Sequence, residues 1–244
     1  MSYGFSFNGR HSKDFGIIMR STNRQLLPLI NDQYIDVQGR SGSYLFPGEI
    51  QDREIQLDCA FMSKDLPDMR KIVHNIAVWL YTHDKAILSF DDEPGVYYRG
   101  KIASQIDFDH IATLGQFSLV FRCDPFAYGA EESLSFANDA AVIINHGTAE
   151  TPPRFKAIFT AAADEWKVVN QDGYFIRIEH DFQEGDTLEV NCITGGIYVN
   201  DARKMDALDW QHSIFFPLRV GANTLEIMPK NICNTQVFWI PRYY

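Results

Sequence analysis

Seven histidines, four cysteines and one run of three acids are the residues of this chain best suited to chemistry. Their spacing argues against it. His11, His74, His83, His110, His146, His180 and His212 are dispersed with no H-x-x-x-H or H-E-x-x-H pair, whereas a zinc site needs clustered ligands. Cys59, Cys123, Cys192 and Cys233 form no C-x-x-C pair, and three of them sit inside apolar, strand-like runs. They read as reduced core residues of a chain folded in a cytoplasm. Asp91-Asp92-Glu93 has the oxygens for calcium or for a paired-carboxylate hydrolase. Lying just before Pro94-Gly95, it reads instead as a solvated turn. No nucleophile elbow, Walker loop or dinucleotide fingerprint is present. The expectation is a protein without catalytic residues, metal or cofactor. A different kind of site, an aromatic platform for sugar rings, has Trp166, Tyr174, Tyr198 and Trp210 as candidates, although strand aromatics are more often core.

Composition narrows the partners. A net charge of -10 is spread over scattered Asp and Glu, and no run holds more than two adjacent basic residues. That disfavours a reader of nucleic acid, which needs a basic stripe to displace phosphate counterions. The start of the chain has no signal-peptide pattern, and no stretch is apolar enough to span a bilayer, so neither export nor membrane insertion is expected.

The elements that carry these residues are mostly strands. Tyr3, Phe5 and Phe7 alternate with Ser2, Gly4 and Ser6 up to Asn8-Gly9, a tight-turn dipeptide. Ile55, Leu57, Cys59 and Phe61 alternate with Glu54, Gln56 and Asp58, and Phe117, Leu119, Phe121 and Cys123 do the same before Asp124-Pro125. Further strands are read at Ala86–Phe90, Val96–Ile102 and Ile106–Phe108. One helix is convincing, over about 66–83: Asp65 is placed to cap it, Pro67 occupies its first turn, and Met69, Ile72, Val73, Ile76 and Leu80 fall at helical spacing. After a softer passage from Gly129 to Asp139, the second half is read as all β. Its strands are Phe155–Thr160, Trp166–Asn170, Tyr174–Glu179, Thr187–Cys192, Ile197–Asn200, Ile214–Leu218 and Thr224–Met228, and its tail, Val237–Ile240, pairs into a sheet.

Gln38 to Glu49 is the segment hardest to place, with three glycines and a proline around the consecutive Tyr44, Leu45 and Phe46. Two readings stand: a hairpin folding back on its own domain, or an arm packing against another subunit.

Taken in order, these stretches resemble the distal tail protein family of long-tailed siphophages, also met as prophage tail components of Gram-positive bacteria. The resemblance is carried by Asp14-Phe15-Gly16-Ile17 behind the aromatic first strand, Val37-x-Gly39-Arg40-x-Gly42, Arg53-Glu54-Ile55 and the exit Cys123-Asp124-Pro125-Phe126-Ala127-Tyr128-Gly129. In the second half, Gly185-Asp186-Thr187-Leu188-Glu189-Val190-Asn191-Cys192, Ile197-Tyr198-Val199-Asn200 and Gly221-x-Asn223-Thr224-Leu225 carry it.

The resemblance implies a mainly β fold of two domains. Residues 1–130 would be a β-sandwich-like ring-forming domain with one α-helix and a protruding hairpin arm at about 38–49, and residues 131–244 a galectin-like β-sandwich. It implies a homo-hexameric ring at the virion tail tip, assembled in the host cytoplasm. The ring would join the major tail tube protein to the tail-associated tip or lysin protein, with tape measure and receptor-binding proteins as further neighbours. Gly39, Arg40, Gly42, Tyr44, Leu45, Phe46 and Pro47 would then be subunit-interface residues, with Arg40 either paired to a carboxylate across the interface or solvated. The alternative is a lectin-like module for host cell-wall polysaccharide.

Overall fold

The computed structural model describes residues 4–103, 108–111 and 114–244. It separates the chain into two compact units, one ending at Tyr128 and one running from Gly129 to Tyr243.

The first unit is built on one antiparallel sheet. Its strands are β1 (Phe5–Phe7), β2 (Arg10–His11), β3 (Ile17–Arg24), β6 (Arg53–Met62), β7 (Ala86–Phe90), β8 (Tyr97–Ile102) and β10 (Leu114–Cys123), in the order β2-β1-β7-β8-β10-β6-β3. β9 (Phe108–Ile111) pairs with β10, and β11 (Ala127–Tyr128) with β8. β4 (Gln33–Asp36) and β5 (Ser43–Phe46) form a separate two-stranded sheet. Asn8 and Gly9 make the expected turn, with φ of 49° and 75° in the left-handed region where Asn and Gly cost least.

Helix α1 (Leu66–Leu80) begins as read: Asp65 accepts the Asp68 amide at 2.8 Å, and a proline lies in the first turn. Its packing side differs. Met69, Ile76 and Leu80 are buried, but Ile72 and Val73 only half so, and the largest anchor is Trp79. Trp79 stacks on Phe15 at 4.2 Å and on Phe5 at 5.6 Å, and its indole N–H donates to the Phe7 carbonyl at 2.9 Å. The helix stops at Leu80 rather than at 83. Tyr81 is extended, and Lys101 donates to the His83 carbonyl at 3.1 Å, holding the chain for its return as β7.

The second unit is a β-sandwich. One sheet has the order β12-β21-β14-β17-β18-β19, from Glu132–Ser135, Cys233–Trp239, Arg154–Phe159, Thr187–Asn191, Gly196–Val199 and Ala202–Arg203. The other has the order β13-β20-β15-β16, from Ala140–Asn145, Gly221–Met228, Ala163–Asn170 and Phe175–Phe182. Alternate side chains of both sheets meet in a single core, where Phe159 stacks on Phe182 at 3.9 Å and Phe155 tilts against Trp166 at 5.9 Å.

Other expectations need correcting. Ile214–Leu218 is not a ladder strand: Pro217 has no amide to donate, and the segment attaches through the Ile214 N–H to Phe175 O and an isolated bridge in which Leu218 and Thr151 exchange two backbone bonds. β12 and β13 arise where a soft passage and no strand were expected. The strand read at Ile106–Phe108 lies, except for Phe108, outside the described residues. Asp91-Asp92-Glu93 is not merely solvated. Asp91 accepts the Gly4 amide and His11, and the His11 contact is the main cause holding its carboxyl below the usual range. Arg24 engages both Asp92 and Glu93.

Candidate subunit interface

The arm grows from two arginine anchors. At its start, the Arg24 guanidinium ends β3 by bonding Asp92 and, at 3.0 Å, Glu93, and it lies 4.6 Å above the Phe90 ring. At its end, Arg53 opens β6 fully buried, donating through Nε to the Pro125 carbonyl at 3.0 Å. Its neighbour Asp52 is bracketed by Lys85 and Arg122 at 3.3 and 3.0 Å. Both roots are therefore tied to the first unit's sheet.

Between the roots the chain makes one long hairpin. Gln51 N–H donates to Leu29 O at 2.8 Å, Asn31 N–H to Glu49 O at 3.3 Å, and Gly48 N–H to the Asp32 carboxylate at 2.9 Å. Above this stem the ladder runs from Gln33↔Phe46 to Asp36↔Ser43, and Ser43 Oγ donates to Asp36 at 2.6 Å. Gly39 and Gly42, with φ of 86° and 85°, turn the tip. At about 3.3 Å per residue, the hairpin from Leu29 to its tip extends roughly 30 Å.

The side chains of this hairpin are largely apolar and exposed. Tyr34, Ile35, Tyr44, Leu45 and Phe46 are 48–67 % exposed, and Leu26, Leu27, Leu29, Ile30 and Val37 are exposed beside them. Phe46 shares one face with Tyr44 and Ile35, and Leu45 the other with Tyr34, so both faces are apolar. A polar face is what a free hairpin would show to water. Arg40 is exposed, and its guanidinium lies 3.7 Å above the Tyr44 ring. Gly39, Gly42, Tyr44, Leu45, Phe46 and Pro47 are all exposed on this one element. Its other strand fell outside the 38–49 segment read from sequence. The signal for it was Tyr34-Ile35-Asp36-Val37, apolar enough to pair with Tyr44-Leu45-Phe46 across the glycine turn.

The aromatic set proposed for sugar is not brought together. Trp166 is wholly buried in the sandwich core and offers no face to a ligand. Tyr174 and Trp210 are exposed in turns, the Trp210 indole N–H donating to the Met205 carbonyl at 3.1 Å. Tyr198 alone lines a groove, of about 590 Å³, on the outward face of the six-stranded sheet, with Lys156, Ile158, Glu189, Asn234 and Gln236. Lys156 and Glu189 pair across it at 3.1 Å. Among the described residues no group of three or more His, Cys, Asp or Glu is placed to hold a metal, and no helix is long and apolar enough to cross a membrane.

Comparison with known proteins bears on both units. Residues 12–123 match the family model described as a phage tail protein RIFT-related domain, and residues 146–243 match that of a siphovirus-type tail component, C-terminal domain. The distal tail protein of Bacillus phage SPP1 is 24 % identical over 240 residues, covering 95 % of this chain and 94 % of that one. The crystal structure of the SPP1 protein, titled a paradigm of the hub adsorption apparatus in phages infecting Gram-positive bacteria, covers 100 % of both chains with a TM-score of 0.88 at 16 % identity. A chain of the phage P2 baseplate in its activated conformation covers 98 % of both at a TM-score of 0.51 and 8 % identity. With both of its domains matched, in the same order and nearly end to end, the chain belongs to the distal tail protein family.

Proposed function

We propose that this chain is a non-catalytic structural subunit of a phage tail, six copies of which close into a ring at the tail tip. The first domain builds the ring. The ring connects the tail tube to the tip protein and the host-adsorption apparatus. The observation that carries this reading is the arm: a tethered hairpin about 30 Å long, apolar on both faces, which a free monomer would leave in water. A head-to-tail contact around an axis covers such a patch on every copy and leaves none exposed. The tail proteins to which the chain is similar support the location.

Electron microscopy and mass measurement of the concentrated protein test it. Six-fold rings are the expected outcome, and the variant carrying Tyr44→Ser, Leu45→Ser and Phe46→Ser should remain a folded monomer. Rings formed equally well by that variant would refute the role of the arm.

A second reading, recognition of cell-wall polysaccharide, is favoured by one feature only, the Tyr198 groove. Its carboxylate, amides and ammonium offer hydroxyl partners beside an aromatic ring. Titration of the full chain with Gram-positive wall polysaccharide should give saturable binding that Tyr198→Ala abolishes; an absence of heat and of shift would remove the reading.

A further inference from the structure

An arm needs a receiving surface, and in a closed ring that surface lies on the same chain, away from the arm. Helix α1 carries a candidate. While Met69, Ile76, Trp79 and Leu80 are spent on the core, Val78 is 79 % and Tyr81 81 % exposed. A solvent-facing helix stripe normally carries polar side chains at such positions. Arg70, His74, Ala77, Val78 and Tyr81 share one outward stripe at helical spacing, all exposed. Beside its C-terminal end, Ala77, Leu80, Tyr81 and Thr82 form a shallow, mainly apolar groove of about 270 Å³ against Lys101 and Ile102 of β8. Charge separates the two surfaces. The arm carries Asp32, Asp36 and Glu49 against the single Arg40, whereas the stripe and its rim present Arg70, Lys71 and Lys101.

We propose that the arm of one copy docks on this stripe of the next, with Tyr44, Leu45 and Phe46 against Val78, Tyr81 and the groove at Ile102, and the arm's acids toward Arg70, Lys71 and Lys101. The proposal rests on the reading of the arm as an intersubunit element and adds its partner surface. Opposite signs and apolar anchors on both sides match what a specific contact requires.

Two full-length variants test it by sedimentation velocity across a concentration series, alone and mixed. One removes the arm's anchors (Tyr44→Ser, Leu45→Ser, Phe46→Ser), the other the stripe's (Val78→Ser, Tyr81→Ser). Each alone is expected to associate at least tenfold more weakly than the parent. Mixed in equal amounts they should form one-to-one pairs but no rings, because one intact arm then meets one intact stripe and the chain of contacts stops. If the stripe variant assembles like the parent while the arm variant does not, the stripe is overturned and the arm reading stands. If the arm variant assembles like the parent, or the parent stays monomeric at every concentration, both fall. Mixing that yields no pairs also overturns the stripe. Should Val78→Ser with Tyr81→Ser melt below the parent, Arg70→Glu with Lys71→Glu replaces it, with the same weakening expected and undiminished assembly counting against the stripe.

Discussion

Gly48 should be the most sensitive single position of the arm, for a reason unconnected with its apolar surface. A Cβ built there meets the Asn31 carbonyl oxygen at 1.8 Å, its carbon at 2.2 Å and the Asp32 nitrogen at 2.9 Å. Ordinary separations of non-bonded heavy atoms are about 3.5 Å, so Gly48→Ala must part the two strands of the stem by more than 1 Å. Parting them breaks the Gly48 to Asp32 and Asn31 to Glu49 hydrogen bonds, each worth about 1 kcal/mol net. Residual crowding adds roughly 1 kcal/mol more. About 3 kcal/mol is more than an isolated two-stranded hairpin holds in reserve, so the substituted stem should stand open. Hydrogen exchange reads this directly. In Gly48→Ala, peptides across residues 29–51 should lose their protection and exchange as open chain, while those of β6 and β10 and the global melting temperature stay put, and association is lost with the arm. Gly39→Ala is the control: its φ of 86° is strained for alanine, but nothing lies within 4 Å of a new Cβ, so the cost is about 1 kcal/mol and the change below tenfold. Unchanged protection in Gly48→Ala, or a loss spreading into the body of the sheet, would show the stem to be wrongly understood.

Trp166→Ala should destabilise the second domain by about 3–5 kcal/mol in denaturant melts, since a wholly buried indole leaves a cavity, whereas Tyr198→Ala should change the melt little. Asp58 joins three strands by accepting from Ser21 of β3 and Ser118 of β10, and these bonds, Ser21's first, hold its carboxyl below the usual 3.8. A depressed carboxyl stabilises the fold above its unfolded value and loses that contribution as the pH falls through the folded one. Ser21→Ala with Ser118→Ala should therefore lower stability at neutral pH and move the acid-unfolding midpoint upward, with the difference from the parent vanishing at the acid end; parallel profiles would contradict it. Burial pushes the Cys59 and Cys123 thiols up to about 12, so both should resist thiol reagents at pH 8 until the chain is unfolded.

Much of this architecture is legible in the residues because local pattern and burial agree. Phe5 and Phe7 alternate into the core, the strand of Leu57 and Cys59 does likewise, and Asp65 and Pro67 start the helix where they should. Trp166 could have been placed inside by the same rule: with Val168 it faces one way, while Glu165 and Lys167 face the other. What escaped is set by non-local contacts. β13 hides because Val142 and Ile144 are apolar on its outward face, 61 and 50 % exposed, which erases the alternation. The helix end escaped because neither glycine nor proline marks it. The arm's surface was visible in Tyr44, Leu45 and Phe46. Its length was not, since pairing with Tyr34 and Ile35 depends on a six-residue turn whose closure only the fold reveals.

The anchoring of the arm bears on how tightly it can bind. A hairpin joined to its domain by free linkers would lose much of its contact energy to the entropy of being ordered. Here the roots are Arg24, bonded to two carboxylates and lying over Phe90, and Arg53, buried at the start of β6 with its Nε bonded to Pro125. Isolated surface ion pairs contribute little stability. Their consequence is directional, because they restrict the path along which the apolar tip leaves the sheet. The arm's anchoring and its stickiness are thus carried by separate residues, so substitutions at Arg24 should weaken association through orientation even with every apolar contact residue intact.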